Sequence, residues 1–224
     1  MIAQLAHDIK TPITSIQATV EGILDGVIQE EERVHYLMTI SRQTDRLNKL
    51  VEEVGALTLN TQSKIESPRG IEPVFLDQLL IEAMSEFQFL IEKEERDVYI
   101  QVSPEYARIQ VDYDKISRIL VNLLNNAFKY SEPGTKIEVV ALIEDQDLTI
   151  SVRDEGYGIA PEELDNIFKR LYRVEASRNM NTGGHGLGLA IARDLARQLG
   201  GDISVESQYG LGSKFTLSLH LNEK

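Results

Sequence analysis

The sequence predicts two folded parts: an all-α helical hairpin that pairs with a second copy into a dimeric four-helix bundle, and then an α+β sandwich. Three observations predict this. Apolar residues recur at helical spacing from Ile2 to Val54. Between Asn60 and Pro73 the composition turns to Thr61, Gln62, Ser63, Ser67, Pro68 and Gly70, as a hinge does. Beyond Val74, strand-like and helix-like runs mix without strict βαβ alternation, which favours helices on one face of a mixed sheet. The expected boundaries are 1–62 for the hairpin, 63–73 for the hinge and 74–224 for the sandwich.

In the hairpin, Ile2, Ile9, Ile16 and Ile23 recur every seven residues, with Ala6, Ile13, Val20 and Val27 as a second row four positions on. Gly26 and the polar run Gln29 to Glu32 end that helix. A second helix carries Leu37, Ile40, Thr44, Leu47, Val51 and Val54 at alternating spacings of three and four. One hairpin cannot bury so much apolar surface, so a homodimer through residues 1–60 is expected, with docking onto another domain the alternative. In the second part the patterns predict a helix over Asp77–Lys93 and strands over Asp97–Val102 and Arg108–Val111. A helix follows from its N-cap Asp112 to Tyr130, then a hairpin of Lys136–Glu144 and Leu148–Asp154, a helix over Leu187–Leu199, and strands over Asp202–Glu206 and Ser213–His220.

Of the 224 residues, 42% are hydrophobic, enough for a core, and the net charge is −13. So acidic a chain argues against nucleic acid or an anionic membrane as a partner, although a local basic cluster can still hold a phosphate ligand. With no Cys, disulfides, thiolate zinc sites and cysteine nucleophiles are excluded. Apolar stretches such as Val139 to Ile143 fall far short of the ~20 residues of a membrane span. No secretory leader pattern is present, and the helical pattern beginning directly after Met1 suggests a piece of something longer.

Three glycine clusters stand out: Asp154-Glu155-Gly156-Tyr157-Gly158, Gly183-Gly184-His185-Gly186-Leu187-Gly188, and Gly210-Leu211-Gly212. Glycine lets backbone N–H groups approach a ligand, and the second cluster runs into a helix, whose N-terminus attracts phosphate. Taken singly, each is equally consistent with a turn. No G-x-x-x-x-G-K-[ST] occurs, and the glycines around Gly184 follow polar residues rather than a strand, so P-loop and Rossmann folds are disfavoured. On the helix before the first cluster, Asn122, Asn126 and Lys129 lie at i, i+4 and i+7, one face, while Leu120, Leu123, Leu124 and Ala127 can pack. Amides and an ammonium on one face suit a metal-bound polyphosphate, the alternative being a solvated polar face. In the first helix, His7 falls at an outward heptad position beside Asp8, four residues before Thr11 and next to Pro12, which removes one helical hydrogen bond. That is the setting of a plain surface histidine or of an oriented nucleophile. His35 and His220 read as a solvated helix residue and a strand-end residue.

In order and spacing these pieces resemble the sensor histidine kinases of two-component systems, over essentially the whole chain. His7-Asp8-x-x-Thr11-Pro12 is similar to the phosphoacceptor H box, Asn122 to Tyr130 to the N box, and Asp154-x-Gly156-x-Gly158 to the G1 box. Phe168 to Arg173 is similar to the F box and Gly184 to Leu189 to the G2 box. The resemblance implies a Bergerat-type ATP-binding fold using ATP and Mg²⁺. Asp154 would accept the adenine amino group, Asn126 would coordinate Mg²⁺, Asn122 and Lys129 would face the phosphates, and Tyr130 would line the nucleotide. Gly156, Gly158, Gly184, His185, Leu187 and the amides of Gly186 and Gly188 would complete the pocket, and Arg173 would approach the γ-phosphate. His7 would be the nucleophile, Asp8 its general base, and Thr11 would orient water when a partner response regulator is dephosphorylated. The resemblance also implies the cytoplasmic portion of a membrane-anchored bacterial sensor. Leu171, Lys169 and His185 stand where the family often has Phe, an acidic residue and Thr. Two other readings remain: a regulator-binding phosphatase scaffold with little kinase activity, and an ATPase module that drives conformational change without a phosphohistidine.

Overall fold

The computed structural model describes residues 2–41, 43, 44, 47, 70–172 and 186–221, and the chain divides into two units, Met1–Ser63 and Lys64–Lys224. In the first unit, α1 (Ile2–Leu24) continues through Pro12. The hydroxyls of Thr14 and Thr19 donate back to the carbonyls of Lys10 and Ser15 at 2.9 and 2.8 Å. The chain reverses where expected. Gly26 takes φ +69°, a 3₁₀ turn follows at Glu30–Glu32, and α2 is described over 33–41. Within a single copy Ile13, Val20, Leu37 and Met38 stay 46%, 38%, 55% and 59% exposed, so the apolar rows are not satisfied by the hairpin alone.

The second unit holds β1 (Ile71–Phe75), α3 (Leu76–Ser85), α4 (Gln88–Lys93), β2 (Asp97–Ser103), β3 (Arg108–Asp112) and α5 (Tyr113–Tyr130). It continues with β4 (Lys136–Glu144), β5 (Asp147–Asp154), a 3₁₀ turn at Pro161–Glu163, α6 (Gly188–Gln198), β6 (Asp202–Gln208) and β7 (Gly212–His220). β1 and β3 form an antiparallel pair. The main sheet runs β2-β4-β5-β7-β6, in which only the β2–β4 pair is parallel.

α5 forms for local reasons that the sequence displays. The Asp112 carboxylate accepts the Lys115 backbone N–H at 3.1 Å and pairs with the Lys115 ammonium at 3.0 Å. Ile116, Ile119, Leu120 and Leu123 are fully buried. They belong to one core with Ile137, Val139, Ala141, Leu148, Ile150 and Val152, all at most 2% exposed, and with Ala192, Leu195 and Ala196 of α6. On β5 the positions between the buried ones, Thr149, Ser151 and Arg153, are half-buried or exposed, so the helices cover one face of the sheet.

Two expectations are corrected. Ile71 to Pro73, read as the end of the hinge, belong to β1, with Pro73 opposite Gln110. Proline is tolerated there because β1 has a partner on one side only. The single helix expected over Asp77–Lys93 is two helices. At the break Phe87 turns inward, 4% exposed, and stacks on Phe128 at 4.7 Å with 4° between the rings. Leu79, Leu80, Ala83, Met84, Phe87 and Leu90 keep helical spacing across the break, so periodicity alone does not reveal it.

Asp112→Ala removes both the cap and the Lys115 pairing, and is expected to cost about 1–2 kcal/mol. Asp112→Asn, which keeps a capping oxygen, should cost less, and urea denaturation midpoints of the two variants check the order.

Candidate nucleotide site

β5 alternates buried and open positions, and Asp154 ends its buried row after Leu148, Ile150 and Val152. A carboxylate therefore occupies the next position in an apolar row, 4% exposed. Burial pushes its pKa up from 3.8 to about 6, opposed by hydrogen bonds from the backbone N–H groups of Gly156, at 2.9 Å, and Ser213.

The C-terminal end of α5 abuts the loop that follows Asp154. The Tyr130 carbonyl accepts the Tyr157 N–H at 3.0 Å. A Cβ on Gly156 would fall on that carbonyl, so only glycine permits the approach. At the other end of the amide face, the Asn122 amide donates to the Arg118 carbonyl at 2.8 Å. Its oxygen lies 2.8 Å from where a Cβ on Gly188, the first residue of α6, would sit. The N-terminus of α6 thus opens beside Asn122, with unpaired first-turn N–H groups of the kind that bind anions.

Between these ends lies Asn126. Its Nδ2 is buried and has no hydrogen-bond partner, a costly state for an N–H donor that an acceptor such as a phosphate oxygen would relieve. The oxygen of the same carboxamide is a ligand type that suits a Mg²⁺ already carrying phosphate oxygens, and the Lys129 ammonium suits those oxygens directly. The Lys129 ammonium sits 4.9 Å above the Tyr130 ring.

Not all glycines serve the space a ligand would occupy. A Cβ on Gly158 would fall on the Gln208 carbonyl, and the Gly210 N–H donates to the Tyr157 carbonyl at 2.7 Å. The Ser207 hydroxyl accepts the Ile159 N–H at 2.8 Å and donates to the Gly212 carbonyl at 2.9 Å. The third glycine cluster is thus a buttress under the loop after Asp154, and the cause is contact between chain segments.

The F-box segment is anchored by α6. Arg193 lies over the Phe168 ring at 4.5 Å while its guanidinium forks onto Asp202 at 2.7 and 2.9 Å, which holds the Asp202 carboxyl down at about 2. Arg170 pairs with Asp194 at 2.7 Å. Leu171, at φ +64°, donates its N–H to the Gly186 carbonyl at 2.9 Å. Arg173, Gly184 and His185 lie outside the described residues, as do the side chains of His7 and Asp8, which belong to α1 in the other unit. Sequence reasoning missed Arg96, a buried guanidinium at the C-terminus of α5. It stands in the charged run Glu92 to Asp97, which reads as solvated surface, and no pattern marks it.

Two family models match the chain: the histidine kinase-, DNA gyrase B- and HSP90-like ATPase model over residues 111–223, and the His Kinase A phospho-acceptor domain model over residues 1–60. The chain belongs to the histidine kinase family. The histidine protein kinases SaeS of Staphylococcus epidermidis and Staphylococcus aureus are 38% and 40% identical to it over 98% of its length. The chain spans 62% and 63% of those relatives. Among solved structures, the Acinetobacter baumannii histidine kinase AdeS is similar with a TM-score of 0.72 at 26% identity, covering 97% of this chain and 98% of that one. The second unit of this kinase core is accordingly an ATP-binding domain with an α/β sandwich fold.

The buried Asp154 carboxylate sets a pH dependence. Its folded pKa lies above its unfolded value, so the stability associated with this group is fully present below about 3.8 and lost as pH rises through about 6. That displacement corresponds to about 3 kcal/mol. Nucleotide-free Asp154→Asn is therefore expected to be more stable than the parent at pH 7, with a flatter stability profile between pH 4 and 6. Urea denaturation at a series of pH values measures this, and an unchanged profile would count against a buried, raised Asp154.

Proposed function

We propose that the chain is the catalytic core of a sensor kinase that phosphorylates His7 with ATP and passes the phosphoryl group to an aspartate of a response regulator. The observation that carries the reading is the pairing, in one chain, of a His-Asp-x-x-Thr-Pro helix with a domain in which a buried carboxylate and an unpartnered Asn126 amide flank the end of α5. The Asp154 carboxylate suits the adenine amino group as a charged acceptor. Asn126 would hold Mg²⁺, which when bound neutralises charge on the phosphate oxygens, and Asn122, Lys129 and the Gly186 and Gly188 amides would take the phosphates. The resemblance alone assigns Tyr130, Gly156, Leu187, Gly184, His185 and Arg173 to the same site, while Gly158, where a Cβ would fall on the Gln208 carbonyl, shapes the loop instead.

In the first reaction a ring nitrogen of His7 forms a bond to the γ-phosphorus as the bond to the β-phosphate bridging oxygen breaks and ADP leaves. The proton on the other ring nitrogen passes to Asp8. The phosphoryl group then moves from the ring to a carboxylate oxygen of the regulator. Positioning and charge stabilisation account for most of the acceleration in such a loose transition state. Thr11, four residues from His7 on the same helix, carries a hydroxyl suited to holding water during dephosphorylation of the regulator. The exposed rows of Ile13, Val20, Leu37 and Met38 support homodimerisation through residues 1–60. Among the described residues no helix is long and apolar enough to cross a membrane, and a membrane-anchored parent is supported by the family resemblance alone.

His7→Gln should bind ATP normally and take no label from γ-labelled ATP. An acid-labile, base-stable phosphoprotein in that variant would refute His7 as the acceptor. Asp8→Asn should slow autophosphorylation by about 10²–10⁴-fold, as general-base loss does. Thr11→Ala should keep autophosphorylation and lose phosphatase activity, and measuring both rates with a purified regulator separates the two roles.

A further inference from the structure

Six hydrogen bonds and an ion pair converge on Arg96, whose side chain is 1% exposed. Its Nη2 donates to the carbonyls of Phe128 at 3.2 Å and Ser131 at 3.0 Å. Its Nη1 donates to the hydroxyls of Ser131 at 2.7 Å and Thr135 at 2.8 Å, and to the Glu132 carbonyl. Glu94 balances the charge, its carboxylate accepting Nε at 2.9 Å and pairing with Nη2 at 2.8 Å. The guanidinium also lies 5.7 Å from the centre of the Phe128 ring.

Of the carbonyls it engages, Phe128 lies in the last turn of α5, Ser131 is its C-cap and Glu132 follows it, and a cation there also favours the negative end of the helix dipole. An arginine 32 to 36 residues away in sequence from these carbonyls binds this terminus to the loop between α4 and β2. The same stretch of chain is held from its other side by the loop that follows Asp154. The Tyr130 carbonyl accepts the Tyr157 N–H at 3.0 Å, and the Tyr157 hydroxyl donates to the Glu132 carboxylate at 3.3 Å. Lys129 and Asn126 precede Tyr130 by one and four residues, about one helical turn. The placement of their side chains relative to Asp154 therefore depends on how the α5 terminus is seated.

We infer that Arg96 is a positioning residue of the nucleotide site, fixing the end of α5 so that its amide face and the Asp154 carboxylate stand at the separation the nucleotide requires. Its hydrogen bonds are to Glu94 and to the segment from Phe128 to Thr135, so it acts through the seat of α5, on binding and not on the chemical step. The inference rests on the nucleotide-site reading above.

The test compares the full chain with Arg96→Met, which removes every donor, and Arg96→Lys, which keeps a charge but loses the planar fork. The KM for ATP in autophosphorylation is expected to rise about tenfold in Arg96→Met and less in Arg96→Lys, with kcat at saturating ATP held within about twofold, because misplacement of a binding group weakens complementarity without removing the nucleophile. A merely structural arginine gives the opposite split. Loss of folded protein lowers kcat per chain and leaves KM where it was. An unchanged KM in both variants, whatever happens to kcat, overturns the inference. If Arg96→Met does not fold, Arg96→Lys decides by the same criterion, with Thr135→Val, which removes one acceptor of Nη1, as a second variant. Should the unsubstituted chain take no label from ATP, the kinase reading fails separately, and the calorimetric dissociation constant for ATP then replaces KM with the same expected order.

Discussion

Everything in the candidate site depends on the division of one helix into two faces. α5 commits Ile116, Ile119, Leu120 and Leu123 to a core from which solvent is excluded. A helix packed that tightly cannot rotate about its axis without opening cavities. The direction of Asn122, Asn126 and Lys129 is then decided by the apolar residues between them and not by any contact the polar side chains make. Axial translation is the freedom that side packing restrains least. It is opposed at one end by the Asp112 cap and at the other by the seat of the Phe128–Thr135 segment between two loops.

The sheet meets this helix with a local conflict. The buried row of β5 would be most stable if it ended in another Val or Ile, yet it ends in Asp154. Departures of this kind, where one local rule is broken within an otherwise consistent design, concentrate at functional sites. The loop beyond Asp154 is held by contacts to Tyr130 and to the 207–213 segment and by Ile159, which packs against the core. Its shape is therefore imposed by neighbours.

Most of the fold was legible where local chemistry and tertiary demand coincide. Asp112 and the apolar face mark α5, and the alternation from Lys136 to Asp154 marks a hairpin because one face is buried. β1 was not legible, since Gly70 and Pro73 are punctuation in the sequence and become a paired strand only when β3 is beside them. The break at Phe87 was hidden by unbroken periodicity. In the site, spacing put Asn122, Asn126 and Lys129 on one face of α5, whereas the roles of Asp154 and Asn126 came from the resemblance, and the burial of Asp154 was hidden because it stands beside turn-like glycines. The glycines were ambiguous. A missing Cβ looks the same in sequence whether the space is taken by a side-chain oxygen, as at Gly188 beside Asn122, or by a backbone carbonyl, as at Gly158. Arg96 left no trace because its partners are mainly backbone carbonyls and hydroxyls far along the chain.

The hydrogen bond from Leu171 to Gly186 joins two points of the chain, one of them on the segment anchored to α6 through Arg170 and Arg193. Gly186 stands two residues before the start of α6, and Leu171 belongs to a segment that α6 itself holds through Arg170 and Arg193. The approach to the helix N-terminus is therefore fixed by the helix it leads into, so a change on the outer face of α6 reaches its first turn through side chains and not only along the helix axis.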